Sequence, residues 1–348
     1  MDYRTESVED FFVDFSLDFS DALPMLRQIV RRQPLQAVAC QAEPRQGAST
    51  MPAKASAAKA AHVPRATMLT LPTIVPKTPG NTAPLSTHLA RTPLFSVRHR
   101  GERAMVNDYQ LPSPQGSAVF YTGVELDMGD QDVYLMALHL AANCAPDTPI
   151  QINRADFLTK IGRKSKGKAM YDWLSESFSR IGKGTILIQT PEYDLRMPLL
   201  GPLLHHKESG QYSFCIPKST MGIFLNSFYG YINLDIRNSI SKNVDLTKWV
   251  LGYASSHVAG PHVVRVENLK TWCGYGGPVH KYRHILTDAL DELVRLDFLE
   301  NWKISIDKVT VRWRRERYVD KPRPLPSAVL THMLPLSLPQ TQGQSKDA

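Results

Sequence analysis

An α+β fold made of two copies of one small unit is predicted by three observations. A helical apolar periodicity occurs twice along the chain, glycines stop a helix at matching places, and strand-like runs follow the last helix of each copy. In the first copy, residues 131–143 read as a largely apolar, buried helix. Residues 153–161 read as a short second helix, with Asn153 as its cap and Gly162 as its stop. The turn Arg163-Lys164-Ser165-Lys166-Gly167 leads into a third helix with the apolar stripe Met170, Trp173, Leu174, Phe178 and Ile181. Strands are expected near 184–190 and 194–200, with a further one near 211–216.

The second copy repeats this order. Asp245 is expected to cap a helix carrying Leu246, Trp249, Val250 and Tyr253 at helical spacing. A shorter helix over 265–273 follows, then the turn Gly274-Tyr275-Gly276-Gly277-Pro278, with Pro278 suited to the first helical position. The third helix runs to about Asp297 and buries Tyr282, Leu286, Leu290, Leu293 and Leu296. Strands are expected at 299–306 and 308–313. Gly162, Leu174, Phe178 and Ile181 match Gly274, Leu286, Leu290 and Leu293 at one constant offset. Three helices with a short turn before the third, then a hairpin, is the order of a winged helix-turn-helix domain. The expected architecture is therefore two tandem winged-helix domains.

Composition sets the flanks. Residues from about 33 to 90 are rich in Pro, Ala, Thr and Gln with few aromatics, which predicts a disordered linker. Ahead of it, Phe11-Phe12-Val13-Asp14-Phe15-Ser16-Leu17-Asp18-Phe19 forms an acidic, aromatic patch that reads equally as a partner-binding segment or a tail without a partner. Lys321-Pro322-Arg323-Pro324-Leu325-Pro326 opens a second disordered tail. The expected division is 1–90 tail and linker, 91–217 first domain, 218–318 second domain and 319–348 tail.

Lys and Arg outnumber Asp and Glu by 41 to 33, a formal net charge of +8, so phosphate backbones and anionic surfaces are fitting partners. Four cysteines are scattered with no Cys-x-x-Cys pair, which suggests neither a zinc ribbon nor a disulfide scaffold. The first residues lack the charged and apolar regions of a signal peptide, and no apolar run reaches the roughly 20 residues needed to span a bilayer. A soluble, cytoplasmic protein without membrane partners is expected.

The expected exposed faces carry the functional reading. Arg163, Lys164, Lys166 and Lys168 surround the start of the first copy's third helix with no carboxylate before Asp172, an arrangement suited to clamping phosphates. In the second copy the inward leucines leave His280, His284 and Thr287 outward, flanked by Lys281 and Arg283, types that suit base edges. Asp288 and Asp291, a turn further, would repel phosphate. The second copy thus reads as the sequence reader and the first as a backbone clamp and dimerisation domain, the dimer contact being an apolar face or the strand near 211–216. The last strand, with Arg312 and Arg314, is expected to touch phosphates as a wing or its exit. Trp302, Trp313 and His139 read as core residues.

Catalysis is not expected. Among eleven histidines none is paired at i, i+2, as a metal-dependent nickase would need, and His205-His206 are adjacent, so both cannot face one metal from a regular strand. Gly182-Lys183-Gly184-Thr185 lacks the spacing of a phosphate-binding loop. No cofactor or metal is expected. A winged-helix transcriptional regulator or repressor is the alternative to any role in replication.

Three segments resemble the TrfA-type plasmid replication initiators, an iteron-binding family: Tyr121-Thr122-Gly123-Val124-Glu125-Leu126, Ala90-Arg91-Thr92-Pro93-Leu94-Phe95, and Glu267-Asn268-Leu269-Lys270-Thr271-Trp272-Cys273-Gly274. Supporting matches lie at Tyr253-Ala254-Ser255-Ser256-His257 and Ala289-Leu290-Asp291-Glu292-Leu293. The resemblance implies two winged helices binding direct repeats in double-stranded DNA at a plasmid origin. It also implies active monomers, dimers as an inactive reservoir for copy control, and recruitment of the host replication initiator and replicative helicase. By the same resemblance His280, Lys281, Tyr282, Arg283 and His284 would lie next to the bases. A sliding-clamp motif of the form Gln-Leu-x-Leu-Phe is known in the family; Phe15-Ser16-Leu17-Asp18-Phe19 is only a weak substitute, which leaves the clamp as the least supported partner.

Overall fold

The computed structural model describes residues 70–97, 102–114 and 116–315, and helices and antiparallel sheets are both present. The patch Phe11–Phe19 and the run Lys321–Pro326 lie outside the described residues. The first elements among the described residues are β1 (Thr82–Ser86) and a short helix, α1 (Thr87–Ala90), both inside the stretch expected to be a linker. All five residues of β1 are buried. The expectation of disorder therefore fails for 82–90. Small residues with little apolar surface still form a buried strand here, because a distant strand supplies the hydrogen bonds.

The first half continues through β2 (Phe95–Ser96), β3 (Met105–Leu111), β4 (Ala118–Val124) and β5 (Leu126–Asp127). Then comes α2 (Met128–Leu140), which starts three residues ahead of the expected position. Asp127 caps it by accepting from the Gly129 and Asp130 amides, while the Asp130 carboxylate accepts from the Asp127 amide. His139 bonds to the Thr82 carbonyl at 2.7 Å. Next are β6 (Ile150–Ile152), α3 (Arg154–Lys160) and α4 (Lys168–Lys183). Asn153 caps α3 through its side chain, as its type predicts. β7 (Thr185–Gln189), β8 (Asp194–Pro198), β9 (Leu204–His205) and β10 (Tyr212–Phe214) complete this half.

After a 3-10 segment, Lys218–Ser227, come β11 (Tyr229–Asn233), α5 (Leu234–Ser239) and α6 (Val244–Ser255). Asn243, with φ +40, precedes α6 where Asp245 had been expected to cap, and Asp245 sits in the first turn. β12 (Gly260–Arg265), α7 (Val266–Trp272), α8 (Val279–Arg295), β13 (Asn301–Ile304) and β14 (Thr310–Arg315) follow. Pro278 is the residue before α8 and not its first helical residue.

The offset seen in the sequence is physical. Gly162 and Gly274 end α3 and α7 at φ +77 and +75, a region where a side chain would be strained. Leu174, Phe178 and Ile181 on α4 and Leu286, Leu290 and Leu293 on α8 are all at most 1% exposed. Each such side chain stabilises its half by about 1.5–3 kcal/mol.

The strands form five groups: β1–β11, β6–β10–β9, β12–β14–β13, β3–β4–β7–β8, and the parallel pair β2–β5. β10 lies between β6 and β9, so the strand expected as a dimer contact has neither edge free. A buried ionic cluster ties α2 to the second half. Asp132 accepts from Arg237 of α5 at 2.8 Å and from Lys248 of α6 at 2.6 Å. Nearby on α2, Asp130 accepts from Arg103, Arg180 and Ser177 at 2.6–2.8 Å.

Candidate nucleic-acid interface

α8 is positioned by its own stripe. Because Leu286, Leu290 and Leu293 point into the core, the opposite side of the helix faces solvent, and His280, Lys281 and His284 are exposed there. Its first turn holds no acidic residue, so the positive helix end and the side chains add in sign. Arg283 is half-buried, with an Nε that is buried and lacks a hydrogen-bond partner. Lys281 and Arg283 form no ion pair among the described residues. Thr287 is half-buried and donates its hydroxyl to the His284 carbonyl at 2.6 Å.

Tyr282 is a correction. Its resemblance-derived place beside the bases is overturned, because the ring is 0% exposed and its hydroxyl meets the Cys273 thiol at 3.8 Å. Burial first, and the neighbouring Cys273 next, push that hydroxyl well above its ordinary value; burial pushes the Cys273 thiol up to about 11. The helical stripe had already placed Tyr282 inward.

The carboxylates beyond the first turns of α8 are engaged by the second half itself. Asp291 accepts from the Trp302 indole at 2.8 Å and Asp288 from the Asn243 amide at 2.9 Å. Glu292 receives the Ser241 amide at 2.7 Å and pins the entry to α6. These contacts hold α8 against the neighbouring elements.

The sheet of the second half flanks that helix. On β14, Val311 and Trp313 are buried, whereas Arg312 and Arg314 are exposed, the alternation expected of a strand with one wet face. Arg312 stands directly opposite Lys303 of β13, a like-charge pair that costs stability unless an anion answers it. Arg314 is engaged by Glu300 at 3.0 Å. Arg315, not singled out by the sequence, turns inward and donates to the His257 carbonyl at 2.5 Å. At the hairpin tip Ile306 is 100% exposed, and Asp307 is tied to Ser305 and to the Val309 amide.

The first half differs. Lys164, Lys166 and Lys168 are exposed around the start of α4. Arg163 is not with them. Its guanidinium lies 4.7 Å from the centre of the Trp173 ring and 3.8 Å from Asp132, folded back toward the buried carboxylate. Burial alone would raise the Asp132 carboxyl, but Arg237, Lys248 and Arg163 hold it below its ordinary value. Sequence spacing shows a run of charge but not where a long side chain ends, and a buried acid on another helix carries no periodic signal.

Among the described residues no group of three or more His, Cys, Asp or Glu is arranged to hold a metal ion, and no helix is long and apolar enough to cross a membrane.

No family model and no curated protein matches the chain. Solved structures that resemble it include domains 2 and 3 of RctB, at 12% identity over 67% of this chain and 98% of that one, with a TM-score of 0.43. A second RctB structure of the same domains matches at 13% identity over 64% and 94%, with a TM-score of 0.39. The Pi initiator protein in complex with iteron DNA matches at 12% identity over 56% and 93%, with a TM-score of 0.44. Likeness at these scores is too loose to fix an architecture, which rests on the strand orders and helix packing above.

Proposed function

We propose that this chain is a non-enzymatic, sequence-specific binder of double-stranded DNA that initiates plasmid replication at direct repeats, built from two winged-helix domains. The observation that carries the DNA-binding part is α8. It follows a tight glycine turn, buries one stripe completely, and offers His280, Lys281 and His284, with Arg283 at their side, from the end of a helix that repels no anion. A helix so presented fits the major groove, where Lys and Arg donate to guanine and each good bidentate pair discriminates by about 1–3 kcal/mol. Arg312 and Lys303, opposite one another on the adjacent sheet, would meet phosphates of the same duplex in this reading.

The initiator part rests on the resemblance of residues 90–95, 121–126 and 267–274 to the TrfA-type family. Self-association, recruitment of a host initiator and replicative helicase, and contact with a sliding clamp belong to the same proposal. The test is a titration of the protein onto a duplex carrying the direct repeats nearest its gene, beside a scrambled duplex, across a salt series. A preference of about 10³-fold or more at physiological salt is expected. Equal, steeply salt-dependent binding to both duplexes would end the repeat-reading proposal. A plasmid carrying those repeats should also replicate only when the protein is supplied. Specific binding without such dependence would mark a transcriptional regulator.

A further inference from the structure

The halves share their helices but not the hairpin that follows them. In the second half β13 and β14 come directly after α8, and the sheet order is β12–β14–β13. In the first half the strands directly after α4 are β7 and β8, yet these join β4 and β3 in a separate four-stranded sheet. The strand that precedes the helix pair, β6, pairs instead with β10, and the order there is β6–β10–β9, antiparallel throughout. In topology β9 and β10 therefore stand where β13 and β14 stand. The hairpin equivalent to the second half's wing is displaced along the chain to residues 204–214.

Charge follows the topology. The tip between β7 and β8 is Pro191-Glu192-Tyr193 before Asp194, with Glu192 and Asp194 exposed and no cation. The end of β9 and the tip that follows it read His205-His206-Lys207, all exposed, with Glu208 the one carboxylate beside them. The turn is closed by the Gly210 amide on the His206 carbonyl at 2.8 Å and the His206 amide on the Gln211 carbonyl at 2.9 Å. Behind it Arg154 of α3 sits over the Tyr171 ring at 4.6 Å and the Tyr212 ring at 5.6 Å, joining hairpin to α4 without an ion pair among the described residues. A side chain at Gly210, where φ is +64, would meet the Arg154 terminal nitrogen at 2.6 Å, so the turn is shaped around that guanidinium. Burial, and then Arg154, His206 and Lys207, lower the His205 imidazole.

We propose that hairpin 204–214 is the phosphate-contacting wing of the first half, with Lys207 and His206 against the backbone of duplex DNA and Arg154 as a positioning residue behind them. The proposal rests on the DNA-binding reading above. The full-length chain carrying Lys207→Glu with His206→Gln is titrated onto the repeat duplex by fluorescence anisotropy over a salt series. Affinity should fall about tenfold or more, and the slope of log K against log salt should drop by about 0.9 for each phosphate that the variant no longer neutralises, with the ratio of repeat to scrambled binding unchanged. Glu192→Lys, on the other hairpin, should change affinity less than about twofold, since a charge away from the duplex neutralises no phosphate. An unchanged slope in the 206/207 variant, or tighter binding by Glu192→Lys, overturns the assignment. Lys281→Ala is run beside them. If it weakens repeat binding while the hairpin variant does not, only the wing fails; if neither changes binding, the DNA-binding reading fails with it.

Discussion

Replacing Asp132 by asparagine keeps the shape of the side chain and removes its charge, depriving Arg237, whose side chain is 2% exposed, and Lys248, 11% exposed, of the carboxylate they pair with. Removing one partner of a buried pair costs about 3–5 kcal/mol, because the remaining charge has neither water nor a partner. For a domain of this size each kcal/mol moves the melting temperature by about 2–4 °C, so Asp132→Asn should lower it by about 6–20 °C in differential scanning calorimetry. Asp132 titrates below its ordinary value in the folded chain. Its contribution is therefore fully present above the unfolded value of 3.8 and fades only as the solution becomes more acidic than that. The loss should consequently be the same at about pH 7 and about pH 5, both above that value. Combining Asp132→Leu with Arg237→Met and Lys248→Met removes the whole demand for pairing and should recover most of the loss. A drop smaller than about 2 °C for the asparagine variant, or a triple variant less stable than the single one, would refute the account of α2 as the seat of a stabilising buried cluster.

Three more expectations follow from the site. Lys281→Ala and Arg283→Ala should each weaken repeat binding by about 1–3 kcal/mol in anisotropy titrations with little change on scrambled DNA; equal weakening on both duplexes would make them phosphate contacts. Lys164→Ala with Lys168→Ala should lower the salt slope by about 1–2 while leaving sequence preference intact, and an unchanged slope would remove the start of α4 from the interface. His257 is held at about 4 by burial first, then by Arg91, His262 and Arg315 around it, while its Nδ1 pairs with the Tyr253 carbonyl. The unfolded imidazole takes its proton nearer 6.5, so this stability is full above that pH and is lost as pH falls towards 4. Allowing for partial exposure the loss is about 1–2 kcal/mol; thermal unfolding of His257→Asn should be correspondingly flatter over that range, and an identical slope would remove His257 as its source.

The helix pairs α3–α4 and α7–α8 are legible because burial every three to four residues writes itself into the sequence, and Gly162 and Gly274 mark their turns. The same stripe places Tyr282 inward, correctly, against the role carried over from the family resemblance. Other features leave no such trace. β9 has two residues, too short for alternation to stand out, and although a strand was expected where β10 lies, the pairing of β10 with β9 and with β6 is a long-range choice. β1 borrows its stability from β11, far along the chain, and a composition window centred on Pro and Ala cannot register that. Arg163 looks like its neighbours in sequence, yet an acid on α2 draws it away from the lysines.

Among the described residues β11 has a single strand partner, and that partner is β1. Upstream of it, Val75 is fully buried and exchanges main-chain hydrogen bonds with residues 143 and 144. A shortened protein starting at the conspicuous Arg91, or a protease cut near it, would strip this belt away. Five residues of β11 would then present an open row of amides and carbonyls, with Tyr229 and Tyr231 beside them, to any other copy in solution. Clumping and lost yield would follow even though both helix pairs remained whole, so the safe place to trim the chain lies ahead of Val75.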